Sequence, residues 1–499
     1  MQAKLISLAL SGALLAGAAA PAAAVAAAAK PSPANNLAGK KLNVVYFLCD
    51  DLGYGDLSCT GQKKFTTPNI DRMRAEGMLF TQHYSGCPVS APSRCALMTG
   101  LHTGHTYIRG NQTVDNPENE GQIPIPADTY NIAKLFKSAG YTTGAFGKWG
   151  LGYPGSEGDP VKQGFDRFYG YNCQGLAHRY YPDHLWSDLN KVVLEGNANG
   201  GKQQYAPDII MAEALKFLDN NKNKPFFLFV PITLPHAELI APEDSLLWRF
   251  RGKFPEVPFK GQDYGPDMAA VGYTSQPEPF ATFAAMVTRE DIFLGQIMAR
   301  LKALGLDKNT MVFFSSDNGP HREGGANPDF FDSYGPFRGI KRDMWEGGIR
   351  LPLIVWAPGI VAANSTCDHV CAMWDMMPTF AELTGAALPK EAATDGISIL
   401  PSITGKGNQG QHDYLYWEFH ELGGRVAVRQ GNWKLVMLDM DNPAKTEYYL
   451  FDLSKDMHED TNIAAQHPDV LRRMVDIAHN ARTRSKIWNF DSPMGNIGD

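Results

Sequence analysis

Acidic, basic and imidazole side chains recur just after apolar runs in this chain, and together they describe a site for an anionic oxyester. Asp50-Asp51 follows the run 42–48, and Gly147-Lys148 follows 142–146. Pro235-His236 follows 226–233, and Asp317-Asn318 follows 311–315. Asp50, Asp51, Asp317 and Asn318 supply only oxygen ligands, which suits a hard cation such as Ca2+ or Mg2+. Lys148 adds a fixed positive charge and His236 a titratable acid-base group. Taken singly, Asp50-Asp51 ahead of Gly53 and Asp317-Asn318-Gly319 read as ordinary turns. Recurrence at successive strand ends favours a metal site that takes a sulfate or phosphate ester.

One further segment can do chemistry. In the stretch from Cys87 to Gly100, Pro92 can pre-set the first turn of a helix, leaving Ser90 and Ala91 at its N-terminal mouth. Free N–H groups and the positive end of the helix dipole favour an anion there. A serine at that place also reads as a plain N-cap.

The elements that must position these groups follow from the pattern. Continuous apolar runs with polar residues at their carboxyl ends read as fully buried parallel strands, with another at 351–356. Helices are predicted from Thr67-Pro68 to Gly77, over 131–138, 208–218, 280–304 and near 375–383. In the long one, Leu294, Ile297, Leu301 and Leu304 form one stripe. Alternating helices and strands predict an α/β fold, a doubly wound, mostly parallel sheet flanked by helices. Ligands of such sheets bind outside the carboxyl ends of the strands, where the polar tips lie. Beyond residue 400 the character changes. Short runs at 414–419, 425–429, 433–438 and 447–452 and a helix over 468–482 predict a smaller antiparallel subdomain. The expected organisation is a catalytic domain over 41–400 and a C-terminal subdomain over 401–499.

Ser90-x-Pro92-Ser93-Arg94, continuing through Leu97-x-Thr99-Gly100, resembles the signature of the type I, formylglycine-dependent sulfatases of the alkaline-phosphatase-like superfamily. The resemblance extends to Asp50-Asp51-Leu52-Gly53-Tyr54-Gly55-Asp56, Thr67-Pro68-Asn69-Ile70-Asp71, Gly147-Lys148-Trp149, Pro235-His236 and Ser316-Asp317-Asn318-Gly319. It also takes in Arg338-Gly339-x-Lys341 and Glu346-Gly347-Gly348-Ile349-Arg350, in the family's order over roughly 42–360. Trp433-Lys434-Leu435 and Tyr449-Leu450-Phe451-Asp452-Leu453 look like the family's small domain.

The resemblance implies that Ser90 is oxidised to formylglycine (3-oxoalanine), an aldehyde that hydrates to a diol, by a serine-competent radical maturation enzyme. It implies calcium on Asp50, Asp51, Asp317 and Asn318, completed by the oxygen of residue 90. Arg94 would orient the diol, Lys148 and Lys341 would hold the sulfate oxygens, and His236 would lie near the bridging oxygen. One diol hydroxyl attacks sulfur and the other expels sulfate, with His236 or Lys341 serving the leaving oxygen. The family often carries a His two residues after the motif lysine; Gly150 stands there, leaving the base that expels sulfate unassigned. His178, His105 and His321 lie in segments that could reach the crevice and bind substrate.

Residues 152–205 are rich in aromatics, including Tyr153, Phe165, Phe168, Tyr169, Tyr171, Tyr180, Tyr181 and Trp186, with His178, Arg179 and His184 among them. Such a loop either packs on itself or faces a sugar ring. A sulfated carbohydrate is the expected substrate, with an aryl sulfate as a model compound. The competing readings are a phosphate or phosphonate ester hydrolase of the same superfamily, a sulfated-glycan-binding protein with unoxidised Ser90, and a sulfotransferase.

Lys4, the apolar run 5–19 and the small-residue stretch 20–29 form a secretory signal peptide, with residues 1–24 as leader and 25–40 as linker. Export to a bacterial periplasm or medium follows, without stable membrane insertion. The 499 residues carry a net charge of -7, which leaves no basic footprint for nucleic acid. Seven cysteines lack zinc-site spacing; Cys367 and Cys371 could bridge locally or serve as buried small hydrophobes.

Overall fold

The computed structural model describes residues 41–114, 120–263, 272–390 and 392–490; the leader and linker lie outside them. The main sheet has eleven strands. They are β1 (Asn43–Asp50), β2 (Met78–Tyr84), β3 (Thr142–Lys148), β4 (Arg167–Tyr171), β5 (His184–Ser187), β6 (Asn190–Val193), β7 (Phe226–Pro235), β8 (Thr310–Ser316), β9 (Arg350–Trp356), β10 (Ser365–Cys367) and β11 (Cys371–Ala372). Their order is β10-β2-β9-β8-β1-β7-β3-β4-β5-β6, with β11 also on β2. β8, β1, β7, β3 and β4 run parallel at the centre; β9 and the β4–β5–β6 strands pair antiparallel.

β1 shows why the centre reads as one apolar run. Val45, Phe47 and Cys49 enter one core while Val44, Tyr46 and Leu48 enter the other, so both faces are covered. The first core takes helices Ala206–Asn221 and Pro279–Ala303; the second takes Ile132–Ser138 and Met376–Thr384. Helix Pro279–Ala303 is buried on more than its expected stripe, because nearly every residue from Pro279 to Asp291 is covered. Its Asp291 carboxylate accepts the N–H groups of Asn69 and Ile70 at 2.8 Å, capping helix Pro68–Glu76 from outside. Thr67 makes no side-chain cap there.

The C-terminal sheet is antiparallel, β12 (Leu415–Phe419), β13 (Arg425–Gln430), β14 (Trp433–Leu438) and β15 (Glu447–Asp452), in that order. Helix Pro468–Asn480 covers one face. The other face packs Trp417, Phe419 and Phe451 against Tyr84, Trp345 and Trp374. Beneath it, the buried Lys434 ammonium sits 2.9 Å from both Glu346 and Glu459. The Trp433-Lys434-Leu435 and Glu346–Arg350 motifs thus meet in one structural ion-pair network.

The structure decides two readings that the sequence leaves open. All seven cysteines are free, so Cys367 and Cys371 do not bridge; they lie on consecutive short strands along β2. In the aromatic segment, Phe165, Phe168, Tyr169, Tyr171 and Tyr180 are core residues rather than a sugar platform. Only Tyr153, Tyr181 and Trp186 of the eight are half-buried.

Candidate active site

Because β8, β1, β7 and β3 are neighbours, their carboxyl ends bring Asp317, Asp50, His236 and Lys148 to one edge. The chain turns sharply after β1: Asp51 has φ 65°, a left-handed conformation that costs a non-glycine residue about 1–3 kcal/mol. That turn is held by Asp51 N–H donating to Asp317 Oδ1 at 3.1 Å and Leu52 N–H donating to Ser316 Oγ at 2.9 Å. It aims the Asp51 carboxylate at Asn318 Nδ2, 2.7 Å away, and Lys341 Nζ, 2.9 Å away.

Ser90 begins helix Ser90–Thr99, every residue of which is buried. The helix is fastened to β8 by Ser93, whose hydroxyl donates to the Asp317 carbonyl at 2.5 Å and accepts from Gly86 N–H at 3.0 Å. Asn111 Oδ1 accepts the Ala91 N–H at 3.2 Å, so Ser90 itself is spared for other contacts. Its hydroxyl lies 3.0 Å from Asp50 Oδ1 and 3.4 Å from Asn318 Oδ1. One turn later, Arg94 reaches Asp317 Oδ2 through Nε at 2.9 Å and Nη2 at 2.8 Å, and bonds the Lys148 carbonyl at 2.5 Å. Lys148 Nζ donates to Asp50 Oδ2 at 2.8 Å.

Asp50, Asp51, Asp317 and Asn318 are 0% exposed, an all-oxygen set whose chemistry fits a hard divalent cation. Burial lifts the Asp317 carboxyl to about 6, helped by Asp50 and opposed by Arg94. Burial also opposes ionisation of Asp50, but Lys148, His236 and Arg94 outweigh it and hold its carboxyl well below the usual range.

His236 and Lys341 form the opposite wall. His236 Nδ1 faces the Ala237 carbonyl, which fixes the proton there, so Nε2 presents its lone pair to Lys341 Nζ at 3.1 Å. Burial and the Lys341 charge keep His236 well below the ordinary imidazole range. Burial works against the Lys341 ammonium, yet Asp51 and Glu323 raise it above the ordinary lysine value. The resting pair is neutral imidazole and charged ammonium.

The family model described as Sulfatase matches residues 42–386, and one described as N-sulphoglucosamine sulphohydrolase, C-terminal, matches 334–481. The chain belongs to the sulfatase family. This sulfatase is 31% identical to mouse (Mus musculus) N-acetylgalactosamine-6-sulfatase over 79% of its length and 71% of the relative's. It is 27% identical to the N-acetylgalactosamine-6-O-sulfatase of Bacteroides thetaiotaomicron, covering 90% and 95%. Among solved structures, Ps i-CgsB in complex with k-i-k-neocarrahexaose superposes with a TM-score of 0.74 at 27% identity, over 91% and 96% of the two chains.

The remaining histidines of the sulfatase divide. His178 stacks on His236 with ring centroids 5.0 Å apart, and His321 stacks on its other side at 5.9 Å. Burial, then the neighbouring His236 ring and the Lys148 charge, hold His178 well below the usual range. His105 is not brought to the cluster: it bonds Asp395 at 2.9 Å and stacks on His102 at 4.4 Å.

Two contributors to the site were not read as such from the sequence. Glu323 accepts from Lys341 at 3.0 Å, from Tyr273 at 2.9 Å and from Arg342 at 2.5 Å, tying the lysine in place. The Tyr180 hydroxyl lies 2.8 Å from the carbonyls of Thr233 and His236 and steadies the histidine's loop. Nothing in their spacing marks them, because each acts through a loop folded back from elsewhere.

Proposed function

We propose that this sulfatase is an exported bacterial enzyme that removes sulfate from a carbohydrate, using Ser90 oxidised to formylglycine and a calcium ion. The observation that carries the reading is the placement of the Ser90 hydroxyl, 3.0 Å from Asp50 in an all-oxygen cluster and ringed by Arg94, Lys148 and Lys341. No imidazole bonds that hydroxyl, and Asp50, held well below the usual carboxylate range, is too weak a base to activate an unmodified serine. Oxidation of Ser90 supplies an aldehyde whose hydrate carries both a nucleophile and a means of expelling sulfate. Asp50, Asp51, Asp317, Asn318 and residue 90 would hold a calcium or magnesium ion, which would supply positive charge to acidify a hydroxyl and attract the anion.

The chain's own residues do the rest. Arg94 is clamped by Asp317 and the Lys148 carbonyl, so its position is set before substrate arrives. Lys148 and Lys341 offer ammonium protons to sulfate oxygens. Lys341 holds a proton toward the leaving oxygen while neutral His236 Nε2 holds the lysine in line. Of the stacked His178, His236 and His321 rings only His178 is half-buried rather than buried, and with Tyr273 edge-on to it at 5.6 Å it is the ring placed to meet a sugar. The relatives named for N-acetylgalactosamine 6-sulfates support a sugar sulfate as substrate.

A panel of defined sulfated mono- and disaccharides, including N-acetylgalactosamine 6-sulfate, tests the substrate class by sulfate release. Release from at least one sugar is expected, and hydrolysis of phosphate or phosphonate esters alone would overturn the reading. On a good sugar substrate, His178→Ala should lower the rate at least about tenfold, the cost of a lost positioning or acid-base group. An unchanged rate would remove His178 from the site. Among the described residues, no helix is long and apolar enough to cross a membrane.

A further inference from the structure

Beside Arg94 lies a buried amide with nothing to bond. Gly150 has φ 78°, and a Cβ built there would stand 2.3 Å from Nε2 of Gln174 and 3.7 Å from Cδ of Arg94. Both the backbone and the space require glycine, and the Gln174 carboxamide fills the place a side chain would take. Gln174 is 8% exposed, and its Nε2 has no hydrogen-bond partner among the described residues. Arg94 Nη2, on the same wall, makes ion pairs with Asp317 and Asp50 but no aligned hydrogen bond. A buried amide N–H without an acceptor is costly unless something accepts from it.

The loop that carries Gln174 leaves the sheet at the catalytic edge. β3 and β4 are parallel and in register, Lys148 beside Tyr171, and Gly150 N–H donates to the Asn172 carbonyl at 2.8 Å. Four residues after Gln174, His178 stacks on His236. One short loop therefore flanks the site from Arg94 to His236.

We propose that the Gln174 carboxamide donates a hydrogen bond to an oxygen of the bound sulfate group, next to Arg94 and Lys148. The inference rests on the sulfate-ester reading above. A neutral amide adds a directed donor without adding charge or a titrating group, so its contribution persists across the pH range in which the fold survives.

The test measures binding of inorganic sulfate by calorimetry to the full-length protein with Ser90 unmodified, in calcium buffer, alongside kcat/KM of the matured enzyme. Gln174→Met keeps the volume and removes the donor; it should weaken sulfate about tenfold and lower kcat/KM by a similar factor, with the thermal midpoint little changed. Gln174→Glu places a carboxylate against the anion and should bind sulfate more weakly still; it carries the test if the Met variant does not fold. Sulfate affinity within twofold of the wild type would place Gln174 outside the site. A wild-type protein that binds no sulfate would instead overturn the sulfate reading, and the proposal with it.

Discussion

Asp317→Ala is expected to abolish sulfate release, with a loss of about a thousandfold or more, the scale seen when a group acting directly on developing charge is removed. Three consequences converge. One anionic ligand of the cation is lost. Arg94 loses the carboxylate that holds its Nε and Nη2, at 2.9 and 2.8 Å, and becomes a buried cation without its main partner. The Asp51 N–H loses its acceptor, which loosens the left-handed turn aiming the Asp51 carboxylate. Asp317→Asn keeps the shape and the backbone hydrogen bond, so it separates charge from packing: it should fold as the wild type does and still be inactive. Calcium measured by atomic spectroscopy should fall from one per chain toward none in both variants. Chelation of the wild type should stop turnover and added calcium should restore it. Full activity in a rigorously metal-stripped sample would end the metal assignment.

What could be read from the sequence, and what could not, has a physical cause. β1, β7 and β8 were legible because both faces are covered, which leaves uninterrupted apolar runs with their chemistry at the tips. The candidate oxygen ligands and Lys148 came with them, since neighbouring parallel strands put their ends side by side. β2 was missed because Thr81, Gln82 and His83 interrupt its apolar run toward the sheet margin. β10 and β11 span 3 and 2 residues, too few for any periodicity. The aromatic segment stayed open because core packing and sugar stacking use the same residue types; only burial tells them apart. Glu323 reaches Tyr273 from 50 residues away. Gln174 stands out only where its carboxamide lies against Gly150. His105, by contrast, looked available but is claimed by Asp395.

The second large effect concerns Ser90. Its hydroxyl faces Asp50 and Asn318, and Asp50, the ionised one, is held so far below the usual carboxylate range that it is a weak base. A single hydroxyl there can attack only weakly and, having attacked, would leave a sulfated serine for water to hydrolyse. Ser90→Ala should therefore be inactive in any host, while Ser90→Cys should regain activity in a host that oxidises only cysteine. The most direct measurement is mass spectrometry of the Ser90 peptide, paired with turnover on a sulfate ester, from protein made with and without a serine-competent radical maturation enzyme. With the maturation enzyme, the peptide should lack two hydrogens and the protein should be active; without it, Ser90 should be intact and the folded protein almost inert. Unmodified Ser90 protein that hydrolyses sulfate esters at full speed would contradict the account.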